Sequence, residues 1–212
     1  LVSPADDFDR VLKELDSRVS CFEAWLTRLV AEMQEERFLE VLRLSEEIAT
    51  ASAKLNAYAY LWFSEDTKNL QARSFKSKVE ERLTSLQNRM LFFDLWWQSV
   101  DEANAVRLRA SSGDFAYHLD TIRRFKDHTL SEPEEKIVNL KNVTGRHAIT
   151  TLYDVLTNGM TFTLTVNGKK RTLTREQLSS YIRSPWPRLR EAAYKEIHRV
   201  VKANHDVVGE IY

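Results

Sequence analysis

The chain has 212 residues, 43% hydrophobic and 29% charged, an ordinary globular composition with room for one large domain or two small ones. Its 31 Lys plus Arg balance 31 Asp plus Glu, so no overall field draws it to phosphate backbones or acidic membranes, and neither nucleic acid nor membrane is an expected partner. Five Gly and four Pro leave few turns, which argues for long helices and against a β-sandwich.

Ser3-Pro4 reads as a helix start, with Ser3 as cap and Pro4 in the first turn. Leu12, Leu15, Val19, Phe22, Leu26, Leu29 and Met33 then step alternately by three and four, which keeps them on one helical stripe. The same alternation returns in Val41, Leu44, Ile48, Ala51, Leu55, Tyr58 and Trp62, and again in Val79, Leu83, Leu86, Met90, Phe93, Trp97 and Val100. Three long heptad helices of about 28 residues, each about 42 Å long, are therefore predicted to pack as antiparallel neighbours. The aromatic residues Trp25, Phe38, Trp62, Phe92 and Trp96 are assigned to packing between them.

Ser111-Ser112-Gly113 is expected to end the third helix and to mark a boundary between a long-helix bundle, 1–110, and a second helical unit, 111–212. A shorter helix with Phe115, Leu119, Ile122 and Phe125 follows, and Ser131 with Glu134 forms a capping box for the next. Residues 161–166 alternate at period two, Asn167-Gly168 suits a type I′ turn, and Lys169 to Leu173 returns, so a β-hairpin is predicted near 161–173. Thr174 with Gln177 is a second capping box, and Ser184-Pro185 a further helix start. The fold class is thus mainly α, with three long helices followed by a smaller helical unit containing one hairpin. Ile197, Val201, Val208 and Ile211 are still helix-periodic at Tyr212, which suggests a truncated chain that continues into a missing domain. The apolar face at 187–212 is expected to make the fragment self-associate.

No catalytic, cofactor-binding or metal-ligating residue is predicted in this chain. A His-Glu-x-x-His helix would place two zinc ligands on one face beside a general base, and none occurs. The histidines are His118, His128, His147, His198 and His205; only His198 and His205 are a candidate pair, and two turns of helix separate them too far for one ion. There is no Gly-x-Ser-x-Gly and no Gly-rich phosphate loop. Glu132, Glu134 and Glu135 read as carboxylates complementing a helix dipole, and Arg123, Arg124 and Lys126 as a solvated basic face. Cys21, the single cysteine, reads as a small buried hydrophobe beside Phe22. The tripeptide Asn142-Val143-Thr144 carries no weight without secretion, no leader or transmembrane pattern is evident, and the cytoplasm is the expected compartment.

The wording of several segments resembles the oligoendopeptidase F family of zinc metallopeptidases, relatives of thimet oligopeptidase. The segments are Leu55-Asn56-Ala57-Tyr58-Ala59-Tyr60-Leu61, the stretch from His128 through Ser131-Glu132-Pro133-Glu134 to Ile137, Leu152-Tyr153, the hairpin ending Leu173-Thr174, and Arg188-Leu189-Arg190-Glu191-Ala192-Ala193. Trp186-Pro187 departs from the acidic-basic pair that the family commonly shows at this place. The resemblance implies an N-terminal, non-catalytic lobe that walls the channel of an enzyme cleaving short peptides. It implies zinc in the full-length protein, whose ligands would lie beyond Tyr212, and a fragment that is inactive alone. Its expected partners are the missing C-terminal catalytic domain and, in the full-length protein, short peptides. The competing reading is a self-contained helical interaction module without enzymatic activity.

Overall fold

A computed structural model describes residues 4–211, with side chains described for residues 8–211. It is mainly α-helical with one antiparallel hairpin, and it divides into two compact units, Leu1–Val143 and Thr144–Tyr212. Among the described residues no helix is long and apolar enough to cross a membrane.

The first unit is built on α1 (Pro4–Glu23), α2 (Glu35–Glu65) and α3 (Leu70–Ser99). Ser3, expected as the first cap, lies outside the described residues. Glu35 and Glu36 complement the dipole at the start of α2, and the Asn69 side chain accepts from the amides of Gln71 and Ala72 to start α3. Phe38, near the start of α2, stacks on Trp97 near the end of α3 at 5.2 Å between centroids. Trp62, near the end of α2, meets Phe75, near the start of α3, at 5.4 Å. Those two pairings fix the helices as antiparallel. Phe8 and Phe22 of α1 pack on Phe75 and Phe93 in the same order along α3, so α1 is parallel to α3 and antiparallel to α2. The predicted stripes contribute to the core, where Leu15, Val19, Phe22, Val41, Ile48, Val79, Phe93 and Trp97 are buried, together with Phe38. Trp25, Trp62 and Trp96 pack against it partly covered.

Two helix ends differ from the periodic expectation. The first stripe runs to Met33, but α1 stops at Glu23 and residues 24–34 form successive tight turns. Leu26 is consequently exposed, while Met33 still reaches the core. Arg107 donates to the carbonyls of Ala31 and Met33, both at 3.0 Å, replacing helical partners in this segment. The third helix ends at Ser99 instead of continuing to Ser111. Asp101 then accepts from the Asn104 amide at 3.0 Å and starts α4 (Glu102–Ala110). Ser111-Ser112-Gly113 joins α4 to α5 (Ala116–Arg124) inside the first unit, with Gly113 at φ +58°.

Side chains of α3 hold α5 in place: the Trp97 indole donates to Leu119 O at 2.9 Å and Gln98 to Ile122 O at 3.1 Å. The α6 helix (Glu132–Asn142) starts at the predicted capping box, where the Ser131 amide donates to Glu134 at 3.0 Å. Asn88 of α3 donates to Lys136 O and accepts from Asn139, tying α6 to the bundle.

The second unit contains α7 (Ala148–Gly159), β1 (Phe162–Val166), β2 (Lys169–Leu173), α8 (Arg175–Ile182), α9 (Pro187–Ala203) and α10 (His205–Ile211). The hairpin pairs Phe162 with Leu173 and Val166 with Lys169. Phe162, Leu164 and Leu173 face a small core completed by Leu178, Ala193 and Val200. Thr174 and Gln177 make both bonds of the second capping box, at 2.9 and 3.3 Å. The α9 helix begins two residues later than Ser184-Pro185 suggests, because Pro187 occupies the first helical turn while the Ser184 hydroxyl accepts from the Trp186 amide. The final periodic segment is interrupted: the Asn204 side chain donates to Val200 O at 2.8 Å, ending α9 before α10.

Candidate functional site

The residue types that carry chemistry are dispersed. His118 lies on α5, His128 in the 3-10 turn after it, His198 on α9 and His205 on α10, all exposed. The helix break at Asn204 separates His198 from His205, whose Nδ1 lies 2.8 Å from Lys202 O. Among the described residues no group of three or more His, Cys, Asp or Glu side chains is gathered so as to hold a metal. The residues present therefore do not fit the zinc ion that the family resemblance implies.

The charged groups singled out in the sequence have structural partners. Glu132 pairs with Lys136 at 2.5 Å, Glu134 accepts from Ser131, and Glu135 accepts from the Leu130 amide at 2.9 Å. These three carboxylates complement one helix start, which leaves none free as an acid or base. Arg123 donates to Trp97 O and Val100 O and pairs with Glu102, so it closes the end of α3 and is not a solvated charge. Cys21 is exposed on α1, contrary to the expectation of burial. It is one position from Phe22, and the roughly 100° turn per helical residue carries it off the buried stripe.

Asp94 and Glu196 are displaced in opposite directions. Asp94 makes no hydrogen bond or ion pair with a described residue, and burial pushes its carboxyl up, opposed by the charge of His118. Glu196 goes the other way: its hydrogen bonds from Arg199 hold it down at about 2. It also accepts from the Thr163 amide at 2.6 Å and the Thr163 hydroxyl at 3.0 Å. It is a staple between α9 and β1, with its lone pairs committed to structure.

What the structure leaves open is apolar surface. Neither α6 nor α7 has a buried residue, although both carry large hydrophobic side chains. Ile137 is 58% exposed and Leu140 53% on α6, while on α7 Ile149 is 47% and Leu152 52%. A five-residue π-helical turn, Val143–His147, precedes α7, and the His147 Nδ1 is buried without a hydrogen-bond partner. Turns of this kind occur often at functional positions. The sequence signal for this surface was present in the apolar residues of 148–156, but their spacing alone could not distinguish a covered face from an open one.

Residues 97–162, from the end of α3 through α7 to the start of β1, match the family model described as oligopeptidase F. The whole chain also matches solved structures. It is similar to the crystal structure of oligoendopeptidase-F from Enterococcus faecium, with a TM-score of 0.76 and 17% identity over 98% of this chain and 42% of that one. A putative peptidase from Chlamydophila abortus matches with a TM-score of 0.51 and 18% identity, over 94% of this chain and 35% of that one. At these identities the likeness establishes fold, and the chain spans less than half the length of either structure. No curated protein matches. Residues 97–162 thus match the family model of oligopeptidase F, and nearly all of the chain has the fold of part of an oligoendopeptidase F, as the resemblance in its sequence implied.

Proposed function

We propose that this chain is the non-catalytic N-terminal lobe of a zinc-dependent, cytoplasmic oligoendopeptidase, where it walls the substrate channel and restricts entry to short peptides. The observation that carries the reading is the family match over residues 97–162, which includes α6 and α7, two helices that expose large apolar side chains and bury none. Apolar faces of this kind suit burial against a further part of a longer protein. The lobe contributes no metal ligand; its work is to exclude folded proteins and to present peptides in few orientations, lowering the entropy that the reaction must overcome. Its partners in this reading are the C-terminal catalytic domain and short peptides.

The chain alone is expected to bind no stoichiometric zinc and to leave quenched-fluorescent peptides uncut, as measured by metal analysis after dialysis and by fluorescence. The encoding gene, read past the Tyr212 codon, is expected to continue to a His-Glu-x-x-His segment, and the longer product to cleave short peptides in a chelator-sensitive manner. One tightly held zinc per isolated chain, or cleavage by it, overturns the assignment. A longer product that cuts folded proteins as readily as short peptides overturns the gating role.

A further inference from the structure

An apolar groove on the first unit, between α1, α2 and α3, is used by none of the features above. Its volume is about 410 Å³, within the range of roughly 300–1,000 Å³ typical of small-molecule sites. Phe8 and Val11 from α1, Leu55 and Tyr58 from α2, and Phe75 from α3 form its lining. Phe75 organises the wall: the ring of Phe8 meets it edge-on at 5.0 Å and that of Tyr58 edge-on at 6.0 Å, so three helices hold one aromatic surface.

The rim has a different chemistry. Arg18 and Lys54 line the groove, and neither makes an ion pair or hydrogen bond with a described residue. Other arginines of this unit are committed, Arg89 to Asp16 and Glu23, Arg109 to Asp120, and Arg123 to Glu102. Glu14, the one acidic residue among the described residues of the lining, is held by Arg10 at 2.8 Å. Among the described residues of the lining, two cations and one carboxylate carry a net charge of +1, which a single negative charge on a ligand balances. We propose that this groove binds a small amphiphilic carboxylate, its alkyl or aromatic tail against Phe8, Val11, Leu55 and Phe75 and its head between Arg18 and Lys54. Guanidinium and ammonium donors to a carboxylate are among the stronger hydrogen bonds available at a protein surface. The proposal rests on first-unit residues alone and is independent of the peptidase reading.

The test is isothermal titration of the chain with decanoate, decanol and decylammonium, each below its micelle concentration. Decanoate is expected to bind one per chain, at least tenfold tighter than decylammonium. The Arg18→Gln/Lys54→Gln variant is expected to lose about tenfold in decanoate affinity, because charge-assisted bonds are removed, while decanol binding stays within twofold. Lys54→Gln alone, an exposed change, is expected to lose part of that affinity and serves if the double variant does not fold. Ala51→Phe, which places a ring in the groove and leaves both charges, is expected to abolish binding of all three; circular dichroism melts check that each variant is folded. Absence of saturable decanoate binding, equal affinity for decylammonium, or folded charge variants that bind decanoate unchanged would overturn the proposal.

Discussion

Asn167 and Gly168 turn the hairpin with φ of +52° and +74°, the two left-handed conformations that a type I′ turn requires. Nothing stands within 4 Å of a Cβ built on Gly168, so a substitution there meets backbone strain and no clash. Gly168→Val is therefore expected to cost about 1–3 kcal/mol, read from urea unfolding, and an unchanged midpoint would contradict the strain. Glu196 gives the corresponding electrostatic case. Its folded carboxyl titrates near 2, below its ordinary value of 4.5, so its contribution is fully present above about pH 4.5 and is lost as pH falls toward 2. Glu196→Gln is expected to cost on the order of 2 kcal/mol at pH 7, less than the whole shift implies because Arg199 is 61% exposed and the pair is screened. The loss should appear as faster amide exchange at Thr163 and its β1 neighbours, and should shrink toward pH 2; a pH-independent loss would mean that packing, not charge, is what the substitution removes. Gly168 was legible in the sequence, because a dipeptide carries the turn. Glu196 was not, since its partner on β1 is 33 residues away.

Elements were legible where the signal is local. The capping boxes at Ser131 and Thr174 and the α2 stripe each lie within a few turns of chain, and α6, α8 and α2 follow them. Helix ends decided by distant groups were not. The end of α1 involves Arg107, 74 residues from Met33 in sequence, and apolar periodicity continues straight through it. The break after Ser99 carries a local signal in Asp101, whose carboxylate accepts from both the amide and the side chain of Asn104, but the stripe through Val100 outweighs it when periodicity alone is followed. Asp101→Ala is expected to cost about 1 kcal/mol, the usual loss for an N-cap. It should raise amide exchange in the first turn of α4 and leave α3 unchanged; if protection falls along α3 as well, the two helices open as one unit. The amphiphile groove was illegible for a related reason, since Phe8, Tyr58 and Phe75 come from three helices and meet only after those helices pack.

For the molecule as a whole, the decisive quantity is apolar area left uncovered. In the second unit, Tyr194 is 54% exposed, Val201 41% and Val207 48%, and α10 has no buried residue. Val200, by contrast, belongs to the unit's own core, while Val208 and Ile211 are partly covered. The association expected of residues 187–212 therefore falls to Tyr194, Val201 and Val207. Contiguous apolar patches beyond several hundred Å² are uncommon on monomers, and a patch that can meet its own copy favours a two-fold dimer. The chain is expected to self-associate with concentration, and sedimentation equilibrium over a hundredfold range measures it. Val201→Asp with Val207→Asp should shift the equilibrium toward monomer by about tenfold or more, since each buried valine contributes about 1.5 kcal/mol and a charge in its place is costly. Neither side chain is buried within the described chain, so the melting temperature should stay close to that of the parent, which separates loss of association from loss of fold. A parent chain that remains monomeric throughout, or charged variants that associate unchanged, would exclude this surface as the interface; in the proposed longer peptidase the same residues are expected to be covered and self-association suppressed.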